Sequence, residues 1–233
     1  MSKKVILFIV EGITEEISFA LILNKLSTQK NLMGEIINFN IVNGDVTSNN
    51  SKKFQQNIKA EIGKIIKSYL IKNHINKNDI KLIVHLTDMD GAYINAENVI
   101  SDSNNCNIHY DEKNIYTANP QKIIERNSFK SSNLNELSRT SKIMGIDYKI
   151  YYFSCNLEHV LHGIQNADES NKSKLANEFE NKYKDDLKGF VEFFKSIAED
   201  CEHDYDNTWN FIKENCNSLK RHCNFYLYVI PLL

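Results

Sequence analysis

The feature that most constrains the fold of this chain is a continuous apolar run near its N-terminus, residues 5–10, which stops on Glu11. An uninterrupted run of this kind (VILFIV) is typical of a strand buried on both faces, as in the centre of a parallel sheet. A carboxylate at the end of such a strand is costly to bury without a partner. In open α/β sheets, ligands bind at the carboxyl ends of the strands. Glu11 is therefore a candidate site residue from its position alone.

Alternating helix and strand patterns follow this first strand. Helical spacing of apolar residues predicts helices at 13–28 and 52–73, and β-branched or aromatic runs predict strands at 36–42, 80–87 and 148–153. Strands that alternate with helices form a parallel sheet with right-handed crossovers. The sequence therefore predicts an α/β fold in which a mainly parallel, four-stranded sheet is sandwiched by helices.

The remaining segments carry weaker patterns. Residues 92–114 are polar and irregular, which we interpret as an insertion or lid. Asn119 followed by Pro120 predicts the start of a helix, with asparagine as N-cap and proline at the first position. Residue patterns predict further helices at 133–144, 172–200 and 206–220. An aromatic-rich run predicts a last edge strand at 224–230.

Composition excludes several classes of protein. The hydrophobic content is 42%, the charged content 25% and the formal net charge −2, as in an ordinary globular chain with no overall basic character. The five cysteines include no C-x-x-C pair, so neither a disulfide framework nor a zinc ribbon is favoured. No apolar run approaches the roughly 20 residues that a membrane span requires. We therefore expect a cytoplasmic protein without a membrane partner.

Acidic side chains follow two of the predicted parallel strands. Glu11 ends the first strand, with Glu15 one helical turn later, and Asp88 and Asp90 end the strand at 80–87, followed by Gly91. Several carboxylates that converge on one point cannot all stay ionised without a cation. Oxygen ligands of this kind suit Mg²⁺ or Mn²⁺, which in turn suit phosphodiester chemistry. The sequence thus predicts a metal site at this edge, with Thr87 placed to donate a hydrogen bond to a carboxylate.

Each acid has an alternative interpretation. A carboxylate in the first turn of a helix is stabilised by the helix dipole, which accounts for Glu15 without any metal. An acid pair after a strand also occurs in phosphate-acceptor and Rossmann-like proteins. A response-regulator-like phosphoacceptor is nevertheless disfavoured by the order of the acids along the sheet.

Two motifs of this chain together resemble the Toprim domain. The first is an apolar strand followed by Glu-Gly-x-Thr-Glu, and the second is a strand followed by Asp-x-Asp-Gly. The matching residues are Glu11, Gly12, Thr14, Glu15, Asp88, Asp90 and Gly91. The form with Thr-Glu is similar to that of OLD-family nucleases and of small RloB-like or abortive-infection proteins. The resemblance covers about residues 4–163.

The resemblance implies a catalytic domain at 1–165, containing an insertion and basic helices at 92–147. The helical pattern beyond it predicts a C-terminal extension at 166–233 packed on that domain. The resemblance also implies that the four matched acids are catalytic and bind Mg²⁺ or Mn²⁺. A weaker similarity around residues 153–162 adds Glu158 as a catalytic candidate. Glu158 and His162 are four residues apart and could face the same pocket, where they would add a metal contact or a proton shuttle. The alternative is a glutamate in the first turn of a helix and a half-buried histidine. His85 is expected to be a core residue.

Topoisomerases and primases, which also contain this domain, need further domains that 233 residues do not accommodate. We therefore expect a metal-dependent nuclease, with phage defence or abortive infection implied by the resemblance. The sequence lacks a P-loop, so any ATPase is expected on a separate partner chain. A homo-oligomer is an open option.

Charge is distributed unevenly along the chain. Residues 113–149 contain seven Lys or Arg and three acids, whereas residues 168–206 contain six Lys and twelve acids. The predicted nucleic-acid-binding surface consists of Lys122, Arg126, Lys130, Arg139 and Lys142, although a solvated helix face has the same appearance. The alternative function is a non-catalytic module whose acidic C-terminal half binds a partner protein.

Overall fold

A computed structural model of the chain describes residues 4–31, 37–43, 47, 57–103, 107–198 and 204–232. The strands are β1 (Lys4–Val10), β2 (Ile37–Asn43), β3 (Ile80–Asp88), β4 (Val99–Ser101), β5 (His109–Tyr110), β6 (Ile115–Thr117), β7 (Lys142–Ile143) and β8 (Ile146–Phe153). The α-helices are α1 (Ile13–Asn31), α2 (Ile58–Asn73), α3 (Pro120–Ser138), α4 (Leu157–His162), α5 (Glu169–Tyr183), α6 (Leu187–Ile197), α7 (Tyr205–Phe211) and α8 (Tyr226–Val229). Short 3₁₀ helices lie at Lys77–Asp79, Ala96–Asn98, Asn217–Leu219 and Ile230–Leu232.

The main sheet has the strand order β2-β1-β3-β8-β7. β1 pairs in parallel with β2 and β3, and β3 pairs in parallel with β8. The α/β class and the four parallel strands are as predicted. The sheet as a whole is mixed, because the two-residue β7 adds an antiparallel edge. The turn between β7 and β8 has positive φ at Met144 (54°) and Gly145 (78°), the backbone that a tight hairpin requires.

The structure corrects several boundaries. The segment predicted as irregular, 92–114, contributes β4 and β5 to a second, three-stranded sheet of order β4-β6-β5, whose strands are too short to give a periodic pattern. A separate helix at 133–144 is wrong, because α3 runs unbroken to Ser138. The helix predicted at 172–200 is two helices, α5 and α6. Part of the predicted 52–73 helix, residues 52–56, lies outside the described residues.

The predicted strand at 224–230 is also wrong. Its core, Tyr226–Val229, is the short helix α8, and Phe225, Tyr226 and Val229 have no exposed surface. Cys223, the residue before this segment, forms an isolated antiparallel bridge with Phe153. Aromatic content favoured a strand, but the rings of Phe225 and Tyr228 are buried in a core formed by both the sheet and the helices.

β1 lies at the centre of two hydrophobic layers, as its continuous apolar run predicted. Leu7 and Ile9 face a layer that contains α2, whereas Ile6 and Phe8 face a layer that contains α1 and the C-terminal helices. In that second layer, the ring of Phe19 lies within 6.3 Å of the rings of Phe190, Phe194 and Phe225, measured between centroids. The C-terminal helices therefore share a core with the sheet. Among the described helices, none combines the length and apolarity needed to cross a membrane.

Candidate functional site at the carboxyl ends of the parallel strands

The pairing of β1 with β3 brings Glu11 beside Thr87. Ile9 pairs with His85, so the residues two positions further along each strand are neighbours. Thr87 donates a hydrogen bond to Oε1 of Glu11 at 2.5 Å, and the buried Thr47 donates to the same oxygen at 3.0 Å. The expectation that Thr87 bonds a carboxylate is thus confirmed. Two hydroxyl donors fix the orientation of the Glu11 carboxylate.

Asp88 has the most unfavourable environment of the predicted acids. Its Oδ1 atom is buried and has no hydrogen-bond partner within the described part of the chain. Burial, together with the nearby charges of Glu11, Glu15 and Asp90, raises its pKa well above the ordinary value. A buried carboxylate oxygen without a donor is costly. This atom is therefore one that a cation or a proton would stabilise.

The turn after β3 is tied to the end of β8. Met89 donates its backbone N–H to the carbonyl of Phe153 at 2.9 Å, and Asp90 donates to that of Cys155 at 2.7 Å. Asp90 has φ 48° and Gly91 has φ 69°, both in the left-handed region. A Cβ atom on Gly91 would lie 2.7 Å from Cδ1 of Ile115, so only glycine fits. This turn aims Asp90 back over the sheet edge.

A lysine that the sequence analysis assigned to the surface lies inside the site. Lys130, on α3, has no exposed side-chain area, and its ammonium lies 2.5 Å from Oδ2 of Asp90 and 3.6 Å from Oε1 of Glu11. Burial alone would raise the pKa of Asp90, but Lys130, with help from Arg126, lowers it. The assignment of Lys130 to a nucleic-acid-binding surface is therefore wrong.

The helical geometry of α3 explains this correction. Successive residues advance about 100° around a helix, so a four-residue spacing drifts by about 40° per step. Lys130 has consequently moved from the exposed face of Lys122 to the buried face of Ile123, Leu134 and Leu137. The spacing of the apolar residues of α3 predicts which face of the helix is buried, and that face includes Lys130. The four-residue spacing of the basic residues pointed to the other face.

The other predicted basic residues are divided between the site and the surface. Arg126 is half-buried and donates to the carbonyl of Asp90 at 2.7 Å, so it supports the turn. Lys122, Arg139 and Lys142 are exposed, and Lys142 is 3.3 Å from Oδ1 of Asp147. Exposure leaves these three side chains able to contact a polyanion.

Glu15 and Glu158 extend the acidic cluster. Glu15 is 4% exposed, and its Oε2 accepts hydrogen bonds from the Gly12 N–H at 3.0 Å and the Thr14 hydroxyl at 3.3 Å. Burial raises its pKa, and the charge of Glu158 adds to the shift. Glu158 is buried in the first turn of α4, and burial raises its pKa too, with a smaller contribution from Asp90. All five predicted acids thus belong to one electrostatic cluster.

Three histidines do not join this cluster. His85 is fully buried with Nδ1 2.7 Å from the Tyr148 hydroxyl, and burial, with Lys130 nearby, lowers its pKa to about 3. Burial also lowers the pKa of His159 to about 4. His162 stacks edge-on against Phe179 of α5, and the charges that act on it are those of Glu178, Arg221 and Lys182. The ring of His162 is therefore packed against α5.

Sequence reasoning missed three contributors to the site besides the position of Lys130. Thr47 lies in the segment between β2 and α2, where no periodic pattern exists. Asn133 donates to the Thr47 carbonyl at 3.1 Å and so connects α3 to that segment. Lys172 of α5 has its ammonium 2.8 Å from Oε2 of Glu169, which raises its pKa against the effect of burial, and the charges of Glu158 and Asp88 add to that rise. The hydrogen bonds from Thr47 to Glu11 and from Asn133 to Thr47 join residues 36 and 86 positions apart, which a local pattern does not reveal.

The side chains of this cluster meet some of the requirements of a divalent cation. The unpartnered Oδ1 of Asp88 and the mutual repulsion of the acids fit one. Within the described residues, however, no group of three or more His, Cys, Asp or Glu side chains has the arrangement needed to hold a metal ion. The ammonium of Lys130 instead neutralises Asp90 and Glu11. A complete chelate is therefore not preformed among these residues.

Comparisons with known proteins leave the family open. No protein-family model, no curated protein sequence and no solved structure matches this chain.

Proposed function

We propose that this protein is a metal-dependent phosphodiesterase of the Toprim type that cleaves nucleic acid. The observation that carries the proposal is the buried, unpartnered Oδ1 of Asp88 at the carboxyl end of a central parallel strand. An unpaired, buried carboxylate destabilises the fold. Ionisable side chains with strongly shifted pKa values are concentrated at functional sites, which makes Asp88 a candidate for such a site. The adjacent Glu11 and Asp90 provide the remaining charge.

In this proposal, Glu11, Glu15, Asp88 and Asp90 hold Mg²⁺ or Mn²⁺, and Glu158 lies at the edge of the same cluster. Such an ion supplies an activated water and stabilises the leaving oxygen. Thr47 and Thr87 orient Glu11 before any substrate arrives. Arg126 fixes the Asp90 turn through its carbonyl, and Lys172 adds positive charge beside the acids.

The exposed cations offer a way to bind the substrate. Lys122 lies in the first turn of α3, Arg139 follows the end of that helix, and Lys142 lies in β7. Lysine and arginine at such positions contact phosphates without reading the bases. The Toprim resemblance extends the proposal to phage defence or abortive infection in the cytoplasm, with an ATPase as a separate partner.

The direct test is cleavage of plasmid DNA, tRNA and short oligonucleotides in parallel, with and without Mg²⁺ or Mn²⁺. We expect metal-dependent cleavage of one substrate class, and a loss of at least about 100-fold in the variants D88N and E11Q. The matched control is D206N, which neutralises an exposed aspartate in the first turn of α7. Circular dichroism shows whether each variant is folded. If the folded D88N and E11Q variants cut as well as the wild type, the proposal is wrong.

A second candidate is a non-catalytic, Toprim-like module that binds a partner protein. The observation that favours it is the Lys130 ammonium, which itself neutralises Asp90 and Glu11. A scaffold of this kind would cleave none of the substrates and would not bind Mg²⁺. Isothermal titration of the wild type with Mg²⁺ and Mn²⁺ distinguishes the two candidates.

A further inference from the structure

We propose that Lys130 is an internal counter-cation that competes with the divalent metal ion for Asp90 and Glu11, so that metal binding is coupled to displacement of the lysine side chain. The inference rests on the proposed function, and it adds a means of controlling the site. A protein of this kind would keep its acids neutralised until the metal ion arrives.

The position of the ammonium is the first observation. Nζ of Lys130 is 2.5 Å from Asp90 Oδ2 and 3.6 Å from Glu11 Oε1, and no part of the side chain is exposed. Glu11 and Asp90 come from different strand ends, and Lys130 is the group that connects them. An ammonium in that position neutralises the same oxygens that a metal ion would bind.

Electrostatics makes simultaneous occupancy unfavourable. Mg²⁺ lies about 2.0–2.1 Å from its oxygen ligands, so an ion on Asp90 Oδ2 would be within a few ångströms of the lysine nitrogen. A unit charge and a divalent charge repel strongly at that separation, most of all where water is excluded. The ion and the ammonium therefore compete for the two carboxylates.

The anchoring of α3 allows the lysine to leave while the helix stays. Asn127 donates to the Gly91 carbonyl at 3.0 Å, and Asn133 donates to the Thr47 carbonyl at 3.1 Å. Ile123, Leu134 and Leu137 are buried on the same face. These contacts do not involve the ammonium, and the four-carbon stem of a lysine can rotate away from a fixed backbone. In this proposal the lysine side chain changes its rotamer while these contacts hold the helix in place.

The test is Mg²⁺ binding by isothermal titration to wild-type protein and to K130M, which keeps the length of the side chain and removes its charge. We expect K130M to bind Mg²⁺ at least about tenfold more tightly, because the competing cation is gone. The matched control is K195M, which removes a lysine whose ammonium is 2.7 Å from Glu192 at an exposed position. Its affinity should equal that of the wild type.

A second measurement uses the wild type alone, so it does not depend on the folding of K130M. Reductive methylation followed by mass spectrometry reports the accessibility of each lysine amine. Lys130 should be protected in metal-free protein and should react at least about five times faster in saturating Mg²⁺, since a displaced amine meets solvent. Lys195 should react at the same rate in both conditions.

The outcomes separate this inference from the proposed function. If the wild type binds Mg²⁺ but K130M binds no more tightly, or Lys130 stays protected at saturation, the competition is wrong while the metal site stands. If neither protein binds Mg²⁺ or Mn²⁺, both proposals are wrong. Tighter binding by K130M together with metal-dependent exposure of Lys130 supports both.

Discussion

Lys130 and Asp90 form a buried ion pair that joins α3 to the turn after β3. The two groups are 2.5 Å apart, and the side chain of Lys130 is wholly buried whereas that of Asp90 is 24% exposed. Removing one partner of such a pair leaves an uncompensated charge, which costs far more than loss of an exposed pair. The pair therefore supports the fold as well as the site.

A double-mutant cycle measures this coupling. We expect K130M alone to lower the free energy of unfolding by about 3–5 kcal/mol, and D90N added to K130M to cost much less than D90N alone. The measurement is urea unfolding without metal. Lys142 and Asp147, 3.3 Å apart with side chains 62% and 63% exposed, provide the control cycle, for which coupling below about 1 kcal/mol is expected. Additive effects of K130M and D90N would contradict the buried pair.

Neutralising Asp88 should stabilise the metal-free protein. Its folded-state pKa is raised, so the folded state binds a proton more tightly than the unfolded chain. Asp88 therefore destabilises the fold increasingly as pH rises from its ordinary pKa towards the raised one. We expect D88N to exceed the wild type in unfolding free energy by roughly 1 kcal/mol at pH 8, with a smaller gain at pH 4. Urea unfolding at both pH values checks this, and a loss of stability at pH 8 would contradict it.

Burial of His85 should make the free energy of unfolding depend on pH with the opposite sign. Its pKa falls to about 3 on folding, against about 6.5 in an unfolded chain. The contribution of His85 to the free energy of unfolding is fully present above the pKa that it has in the unfolded chain. This contribution is lost as the pH falls from about 6.5 towards 3, with a limiting slope of about 1.4 kcal/mol per pH unit. The stability difference between wild type and H85Q should therefore shrink on acidification. The control is H74N at an exposed left-handed position, and a constant difference for H85Q would contradict the prediction.

Gly91 can be tested against a matched glycine. Gly91 and Gly163 have nearly equal φ, 69° and 72°, but a Cβ at Gly163 would meet nothing within 4 Å, whereas one at Gly91 would clash with Ile115. We expect G163A to cost about 1 kcal/mol for the left-handed backbone and G91A to cost at least about 2 kcal/mol more. Thermal unfolding measures both. Equal losses would mean that packing around Gly91 relaxes without cost.

The exposed cations predict a salt dependence for nucleic-acid binding. K122M and R139M should each weaken binding and reduce the slope of log affinity against log salt by about 1, because each contributes one phosphate contact. Fluorescence anisotropy across a salt series measures the slope. The control is K188M on the acidic C-terminal part, where binding should not change. Unchanged slopes in K122M and R139M would remove these residues from the binding surface.

Much of the fold was predictable because its signals are local. The run at 5–10 has to be buried wherever it lies, and a parallel sheet is the structure that buries both of its faces. The small sheet and α8 were missed because two- and three-residue strands carry no period and because aromatic residues suit either element.

The sequence by itself determined that Glu11, Asp88 and Asp90 follow parallel strands, because strand periodicity and chain order place them at one edge. Only the tertiary structure decided that Lys130 lies between Asp90 and Glu11. A lysine is predicted to be exposed when no partner is known for it, since burying an unpaired ammonium is costly. The cost falls once a carboxylate is 2.5 Å away, and Asp90 comes from a turn 40 residues earlier in the chain.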